Sequence, residues 1–571
     1  MNKPQPLSIA AYFQAARELI AREDLAPLAD LHLDRPEYFN WVEDIFYPLN
    51  VQAHGTDSAL IWRYGEQERR YSFAEVYAQS NQLLHLLRAG GAQAGDRIYS
   101  LLPLVPANWM SFMATIKGGF IMMPTATNLS SRDLIYRFES LFPEIFITDI
   151  HQAAKIDEAE RAFGRSLKLK VCVGGQRPGW VSFEDLAQFP TEAEAAPTKA
   201  DDAVLYFFTS GTTGLPKIVV HTHFTYPFGH LSTAAWLGCR HGDVHYNISS
   251  PGWAKFAWSS FFAPWNTGAT IFANQVDKFI PREQLAAMQT YGITSFCGSP
   301  TVLRMLIQED IGAYQLQLRT SCAAGEPLNP DVIQKWREAT GVVVRDGYGQ
   351  TETTALVGNL LGQQVQPGSM GHPTFMYDVV VCDETGQEVP PLEEGIICVR
   401  TNTGRPNGLF THYLNDEERT QSVFAHDLYY TGDKAYTDEA GNIWFIGRND
   451  DVIKASAYRI GPFEVESVLI EHEAVVESAV VASPHELRGY TVKAFVMLRE
   501  GQAPSAALAE ELFAFSEKHL AKYKVPRIIE FPEALPKTIS GKIRRIELRA
   551  TEAQRKLDGL RGTHEYFHAK Y

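Results

Sequence analysis

The 571-residue chain lacks the patterns that mark secreted, membrane-spanning or nucleic-acid-binding proteins. None of its six cysteines forms a CxxC pair or stands near a histidine at metal-ligand spacing, so we expect buried free thiols in a reducing compartment. Basic residues are outnumbered, 52 against 67 acidic ones, and the net charge of −15 argues against general binding of nucleic acid or anionic membranes.

Long hydrophobic runs are also missing. The amino-terminal segment has no signal-peptide run, and its apolar residues recur at helical spacing, which predicts a surface helix. The most apolar stretch, Ala107 to Thr127, contains Lys117 and a Gly-Gly pair, so it predicts a buried βα unit rather than a membrane span. We expect a cytoplasmic protein with no membrane and no nucleic-acid partner. Whether it is a monomer or a homodimer stays open.

Chain length and the order of apolar segments predict two domains of the α/β class. The chain is too long for one compact core. Up to about residue 190, and again over 240–345, strand-like and helical segments alternate, which predicts α/β layers. Short strands over about 375–447 predict a small β unit, and the order β, α, β, α, β after it predicts an α+β domain. We therefore predict domains over 1–447 and 448–571.

One loop suggests a phosphate ligand. The nine residues from Thr209 to Lys217, TSGTTGLPK, directly follow the apolar run AVLYFF. Glycines let the backbone turn its N–H groups towards an anion, four hydroxyls add neutral donors, and Lys217 adds a point charge. The loop is not a Walker A motif, because Ile218 follows the lysine. A flexible surface loop is the alternative, but so ordered a string after a buried strand favours a polyphosphate site.

This string resembles the signature loop of the adenylate-forming superfamily, which includes acyl-CoA synthetases, luciferases and the adenylation domains of peptide synthetases. Further motifs follow in family order over nearly the whole chain. The resemblance implies α/β subdomains, a small β-barrel unit and a mobile C-terminal α+β domain. The residues that it assigns to ATP are Thr209, Ser210, Gly211, Thr212, Thr213, Gly214, Lys217, Gly325, Glu326, Pro327, Asp346, Gly347, Tyr348, Gly349, Gln350, Thr351, Asp433, Arg448 and Lys542.

Individual roles are likewise implied by the resemblance. Tyr348 would stack on the adenine, and stacking of a base on an aromatic ring contributes about 1–3 kcal/mol. Thr351 would contact the α-phosphate, and Glu352 would bind Mg²⁺, which prefers carboxylate and phosphate oxygens. Asp433 in the TGD motif would bind the ribose, and Arg448 would make a second ribose or phosphate contact.

The C-terminal heptapeptide PKTISGK resembles the lysine motif of the family. Its Lys542 would be delivered to the active site, where the ammonium bridges the carboxylate of the acid and the α-phosphate. Asp450 resembles the hinge position. The implied catalytic residues are Lys542, Thr351, Glu352 and Lys217.

The chemistry explains the need for these groups. A carboxylate that attacks a phosphate brings two anions together. Positive groups placed where the negative charge accumulates lower the activation barrier. The substrate supplies the nucleophile, in keeping with our finding no motif of the Ser-His-Asp type. We expect ATP, a carboxylic acid and coenzyme A as ligands, with Mg²⁺ accompanying ATP. We also expect the protein to act in fatty acid metabolism.

The stretch SPGWAKFAW, with YGQTE and AYRIGPFEVE, resembles short- to medium-chain acyl-CoA synthetases that act on propionate, butyrate or 2-methylbutyrate. Acetate-specific relatives have Trp at the position of Gly349, so the glycine is expected to admit longer acids, about C3–C8. Core packing is the alternative role for each tryptophan. The positions that line the acyl pocket in relatives are Trp236, Trp253, Lys255, Trp258, Cys297 and Gly349.

The positions assigned to coenzyme A are Ser456, Ala457, Tyr458, Arg459, Arg488, Tyr523 and Lys524. Relatives usually have Gly where Ala457 stands, so its methyl group is expected to slow thioester formation and to leave adenylation untouched. Three alternatives stay open. They are an adenylating enzyme that passes its acyl group to a carrier protein or other acceptor, an aryl-acid CoA ligase, and a non-catalytic nucleotide-binding protein.

Overall fold

The computed structural model describes residues 6–209, 217–448, 451–455, 458–485, 489–537 and 543–569. The chain divides into two compact units. Unit 1 comprises Met1–Val379 and Arg400–Asp427, and unit 2 comprises Val380–Val399 and Leu428–Tyr571. The predicted division at residue 448 marks the start of the mobile C-terminal domain that the resemblance implies. It stays a prediction.

The described α-helices, in chain order, are α1 (Ile9–Ala21), α2 (Phe73–Ala89), α3 (Ala107–Gly118), α4 (Ser131–Ser140), α5 (Ala153–Phe163), α6 (Thr225–Leu237), α7 (Ala254–Ala257), α8 (Ala263–Thr267), α9 (Pro281–Thr290), α10 (Pro300–Leu306), α11 (Pro330–Thr340), α12 (Glu417–Val423), α13 (Pro462–Glu471), α14 (Ala506–His519) and α15 (Arg545–Leu557). Short 3₁₀ helices span Ala26–Asp30, Phe183–Gln188 and Ile311–Ala313, and π-helices span Val42–Gln52 and Trp258–Phe262.

The described strands of the first 300 residues are β1 (Ser58–Tyr64), β2 (Gln67–Ser72), β3 (Arg97–Leu101), β4 (Ile121–Pro124), β5 (Ile145–Asp149), β6 (Leu169–Val173), β7 (Val181–Ser182), β8 (Ala203–Thr209), β9 (Lys217–Thr222), β10 (Val244–Asn247), β11 (Thr270–Gln275) and β12 (Ser295–Gly298). Those that follow are β13 (Thr320–Ala324), β14 (Val344–Tyr348), β15 (Val357–Gly358), β16 (His372–Pro373), β17 (Val379–Cys382), β18 (Gly395–Arg400), β19 (His412–Tyr413), β20 (Phe424–Ala425), β21 (Leu428–Thr437), β22 (Ile443–Arg448), β23 (Ile453–Ala455), β24 (Tyr458–Ile460), β25 (Val475–His485), β26 (Gly489–Leu498), β27 (Ile528–Glu530) and β28 (Glu565–Phe567).

Unit 1 is built on two large sheets. The first has the strand order β16-β15-β14-β13-β12-β10-β11-β1-β2, and its neighbours from β14 to β1 are parallel. The second has the order β19-β9-β8-β4-β3-β5-β6-β7. Helix α6 contacts strands of both sheets, β9 and β13. All of its residues are buried, because a helix between two sheets has no face left for water.

Unit 2 is a smaller α+β assembly. β21 and β22 pair antiparallel, and β23 pairs with β24 in a two-stranded ribbon. A four-stranded sheet follows in the order β25-β26-β27-β28, and α13 and α14 pack on its core residues.

The predicted fold class is confirmed, with α/β layers in unit 1 and an α+β arrangement in unit 2. The stretch from Ala107 to Thr127 contains α3 and β4, and α3 is buried along its whole length. Within the described residues, no helix has the length and apolar character needed to cross a membrane.

Candidate active site

The candidate residues of unit 1 gather at one edge of the nine-stranded sheet. Strands β10, β12, β13 and β14 are parallel neighbours, so their carboxyl ends lie side by side. The segment from Ser249 to Trp258 follows β10, Gly325-Glu326-Pro327 follows β13, and Gly349 to Glu352 follows β14. The carboxyl edge of a parallel sheet is the usual place for ligands in α/β proteins.

A lysine, a carboxylate and a tyrosine meet at Lys217, the last residue of the predicted phosphate loop. Lys217 Nζ lies 3.6 Å from Glu352 Oε1 and 3.4 Å from Tyr413 Oη. The Tyr413 hydroxyl donates a 2.8 Å hydrogen bond to the same Glu352 oxygen. The aromatic ring of Tyr413 also lies under the ammonium, which is 4.8 Å from its centroid. We call these three residues the Lys217 cluster.

The main chain of the Thr351-Glu352 pair is held from two sides. His221 Nε2 lies 2.8 Å from the Thr351 carbonyl, and the backbone N–H of Phe410 donates to the Glu352 carbonyl at 2.7 Å. Burial lowers the pKa of His221 to about 3, so its ring is neutral and Nε2 carries the donated proton. Residues of β9 and of the segment around β19 therefore fix the peptide that presents Glu352.

The proposed adenine segments are also anchored. The Thr301 hydroxyl donates to Glu326 Oε2 at 2.8 Å, and Arg304 lies 3.3 Å from the same oxygen. Asp346 is buried, and desolvation raises its pKa to about 8. Its Oδ1 accepts a 2.9 Å hydrogen bond from the backbone N–H of Gly347.

Two tryptophans pack on glycines of these segments. A Cβ atom on Gly347 or Gly358 would collide with the indole of Trp236, which is buried and donates to the Asp346 carbonyl at 3.2 Å. A Cβ on Gly349 would collide with the Trp258 ring and the Thr354 carbonyl. We expected Gly349 to leave open room for a longer acid. Instead, Trp258 occupies the space into which a side chain at 349 would project.

The other predicted pocket residues lie near the same strand ends. Lys255 on α7 is half-buried, and its ammonium donates to the Ala324 carbonyl at the end of β13, at 3.2 Å. Cys297 on β12 is fully buried, and Trp253 is half-buried at the start of α7. The side chains that could face an acid thus include one cation.

In unit 2 the structure brings Asp433 and Arg448 together as cross-strand partners on β21 and β22. Lys524 forms an ion pair with Glu464, and Tyr523 is exposed. The backbones of Tyr458 and Arg459 lie in β24. The predicted residues outside the described part of the chain are Ser210, Gly211, Thr212, Thr213, Gly214, Asp450, Ser456, Ala457, Arg488 and Lys542.

Sequence reasoning missed His221 and Tyr413. His221 stands four residues beyond the loop lysine in the string VVHTH, and a histidine in an apolar strand was an available signal. Tyr413 reaches Glu352 because the short strand β19 pairs with β9, with Tyr413 opposite Val219. No pattern in the sequence indicates that pairing.

Comparison with known proteins gives consistent results. Residues 49–414 match the AMP-binding enzyme family, and residues 464–542 match the AMP-binding enzyme C-terminal domain. The chain is 47% identical over 535 residues to 4-hydroxybutyrate--CoA ligase 1 of Metallosphaera sedula, covering 92% of this chain and 93% of the relative. It is 41% identical over 536 residues to human mitochondrial acyl-coenzyme A synthetase ACSM3, covering 92% and 91%.

Among solved structures, the crystal structure of the anthranilate CoA ligase AuaEII in complex with anthranoyl-AMP is similar, with a TM-score of 0.83. It is 29% identical in sequence, and the match covers 91% of this chain and 99% of that one. The similarity therefore extends over both units of the chain.

Proposed function

This chain belongs to the AMP-binding enzyme family and is a ligase of the acyl-CoA synthetase type, and we propose that it joins a short- or medium-chain carboxylic acid to coenzyme A through an acyl-adenylate. ATP is converted to AMP and diphosphate. The proposal rests on the Lys217 cluster, because it sets a cation and an anchored carboxylate at the end of the predicted phosphate loop.

In the first half-reaction a carboxylate oxygen of the acid bonds to the α-phosphorus, and the bond from that phosphorus to diphosphate breaks. Lys217 and the loop backbone would bind the phosphates, while Thr351 would contact the α-phosphate. Lys542 would bridge the two reacting anions. These positive groups offset the charge that accumulates as the anions approach.

Glu352 fits the metal role that its motif implies. It is 8% exposed, the Tyr413 hydroxyl fixes its Oε1, and no hydrogen bond to Oε2 is found within the described residues. One fixed carboxylate together with phosphate oxygens is a normal Mg²⁺ environment. Bound Mg²⁺ would neutralise phosphate charge.

In the second half-reaction the thiol of coenzyme A attacks the acyl carbon, and AMP leaves. Arg488, Tyr523, Lys524 and the segment from Ser456 to Arg459 would bind coenzyme A. Ala457 is proposed to slow this step only. Asp450 would be the hinge of the C-terminal domain, which we propose to begin at residue 448.

We propose acids of about C3–C8 as substrates, branched ones included, with Trp258 as the residue that limits their length. The contact of Trp258 with Gly349 makes Trp258 the candidate for that limit. Relatives named for 4-hydroxybutyrate and for acyl-coenzyme A synthesis support the proposed class of acids. Lys255 could donate to a hydroxyl at the far end of a C4 acid. A cytoplasmic location is part of the same proposal.

The test is a panel of acids assayed for diphosphate release and for thioester, with and without coenzyme A. It includes acetate, propionate, butyrate, 2-methylbutyrate, 4-hydroxybutyrate, octanoate, benzoate and palmitate. We expect the highest kcat/KM within C3–C8, and a shift to longer acids in Trp258→Leu. Each misfit methylene changes the preference by about 1–3 kcal/mol.

Other outcomes identify the alternatives. Best turnover on acetate or palmitate contradicts the proposed range, and best turnover on benzoate indicates an aryl-acid ligase. Diphosphate release without thioester indicates another acceptor, such as a carrier protein. A Lys542→Ala variant that adenylates as fast as the unmodified chain contradicts the mechanism, and no diphosphate release with any acid would indicate a non-catalytic nucleotide-binding protein.

A further inference from the structure

Two histidines and an aspartate meet at the opposite edge of the nine-stranded sheet from the candidate active site. Asp57 directly precedes β1, His241 lies between α6 and β10, and His54 follows the π-helix Val42–Gln52. Because β10, β11 and β1 are parallel neighbours, their amino ends lie together, as their carboxyl ends do at the other edge. We call these three residues the His-Asp-His cluster.

The distances in the cluster fit a shared metal ion as well as long hydrogen bonds. His54 Nδ1 and His241 Nε2 each lie 3.3 Å from the same oxygen, Asp57 Oδ2. Charge-assisted hydrogen bonds are shorter, about 2.7–2.9 Å. Two ligand atoms bound tetrahedrally at about 2.0–2.1 Å from zinc are themselves about 3.3 Å apart. One ligand atom from each residue can be chosen so that all three lie within 4.8 Å of one another.

A second contact orients one of the ligands. His241 Nδ1 lies 3.2 Å from the carbonyl of Gly268, the residue that ends α8. If Nδ1 donates its proton there, Nε2 presents its lone pair towards Asp57. Histidines that bind metals usually make such a hydrogen bond with the nitrogen that does not bind the metal.

The ring geometry and a nearby arginine limit the affinity of the His-Asp-His cluster for a metal ion. The two imidazole rings are 4.0 Å apart at an interplanar angle of 30°, so they must separate slightly to bind one ion. Their side chains are 38–45% exposed, which leaves room for that rotation and for water ligands. The positive charge of Arg17 acts on His54 and weakens cation binding.

We propose that His54, Asp57 and His241 bind one divalent transition-metal ion, with zinc as the natural probe and water completing a tetrahedral set. Two imidazoles and one carboxylate are donors that suit zinc. The site uses no residue of the proposed active site, so the inference is independent of the proposed function. Its consequence is structural, since an ion at the amino ends of these strands binds only the folded unit 1.

The test titrates zinc into the chelator-treated full chain without an affinity tag, in competition with a chromophoric zinc indicator. We expect one equivalent with a Kd below about 10 µM and a zinc-dependent rise in Tm. His241→Gln and Asp57→Asn should each weaken binding at least about tenfold and abolish the rise in Tm. The control His151→Gln removes an exposed histidine elsewhere in unit 1 and should change neither.

Metal-free unfolding curves show whether each variant folds like the unmodified chain, and the two ligand variants check each other. The proposal is overturned if the unmodified chain binds no stoichiometric zinc. It is equally overturned if both ligand variants bind zinc as tightly as the unmodified chain, because the ion would then be held elsewhere.

Discussion

The two units each contain a lysine paired with carboxylate, and the two clusters differ in how fully the cation is surrounded. In unit 2 the Lys493 ammonium lies 2.7 Å from Glu530 and 2.5 Å from both Glu552 and Glu565, and the lysine is fully buried. In unit 1 Lys217 is 26% exposed and 3.6 Å from Glu352, its one described carboxylate partner.

Further contacts hold two carboxylates of the buried cluster. Arg555 donates to Glu530, and the Ser483 hydroxyl donates to Glu552 at 2.6 Å. Glu565 Oε1 has no hydrogen-bond partner within the described residues, but the lysine itself is enclosed by three carboxylates. Desolvated charges are stable only when they are paired, so this ammonium has little capacity left for a ligand. The Lys217 cluster leaves an ammonium and a carboxylate oxygen able to bind a phosphate and a cation. The comparison teaches that an incompletely surrounded cation, rather than charge itself, distinguishes the proposed site.

The largest effect is expected for Lys493→Met. The variant leaves three buried carboxylates without their shared cation, which should cost about 3–5 kcal/mol in the free energy of unfolding of unit 2. Hydrogen exchange in urea, followed by mass spectrometry, resolves this loss by unit. Lys522→Met, at an exposed position of unit 2, is the control and should change stability by less than about 0.5 kcal/mol. A loss below about 1 kcal/mol in Lys493→Met would mean that the cluster is not structural.

Glu352→Gln should have the next largest effect, on rate rather than on folding. The amide keeps the size of the side chain and removes its charge, so adenylation should slow about 10²–10³-fold, or about 3–4 kcal/mol in the barrier. Diphosphate release measured across a Mg²⁺ titration should also show a higher Mg²⁺ requirement. Glu283→Gln at the exposed start of α9 is the control. An unchanged rate and Mg²⁺ requirement would remove Glu352 from the mechanism.

Low pH is expected to lower the free energy of unfolding of unit 1 through its buried histidines. Burial lowers the pKa of His223 in unit 1 to about 3, so the native ring stays neutral while the unfolded chain binds a proton below pH 6.5. The stability from this group is therefore complete above pH 6.5 and is lost as pH falls towards 3, by about 2 kcal/mol at pH 5. Burial lowers the pKa of six histidines, all in unit 1, namely His54, His221, His223, His230, His245 and His412.

His223→Phe tests this prediction, since neither ring nitrogen has a hydrogen-bond partner within the described residues. The larger ring changes the free energy of unfolding equally at all pH values. The quantity to measure is therefore the difference between the free energies of unfolding at pH 7 and at pH 5. Hydrogen exchange of unit 1 should show that difference reduced by about 2 kcal/mol. His519→Phe on the exposed end of α14 should leave it unchanged. An undiminished difference in His223→Phe would show that another group causes it.

The sequence indicated the local parts of this architecture, since the loop TSGTTGLPK, the alternating strands and helices and the position of Glu352 depend on neighbouring residues. Contacts between distant segments were not accessible. Tyr413 and Glu352 are 61 positions apart and meet through the pairing of β19 with β9. The packing of Trp258 on Gly349 could not be expected either, because sequence shows which side chain is absent but not which neighbour takes its space.

The smallest effect is expected for Tyr413→Phe, which removes one hydroxyl from the less saturated cluster. The ring under Lys217 stays, and Glu352 loses its 2.8 Å hydrogen bond. A hydrogen bond to a charged group contributes about 1.5–3 kcal/mol, and a loss at the lower end of that range should reduce kcat/KM for MgATP about tenfold. Tyr136→Phe, at an exposed tyrosine of unit 1, is the control and should not change kcat/KM. If Tyr413→Phe had full activity, Glu352 would be held by its backbone contacts alone, and Tyr413 would have no part in the site.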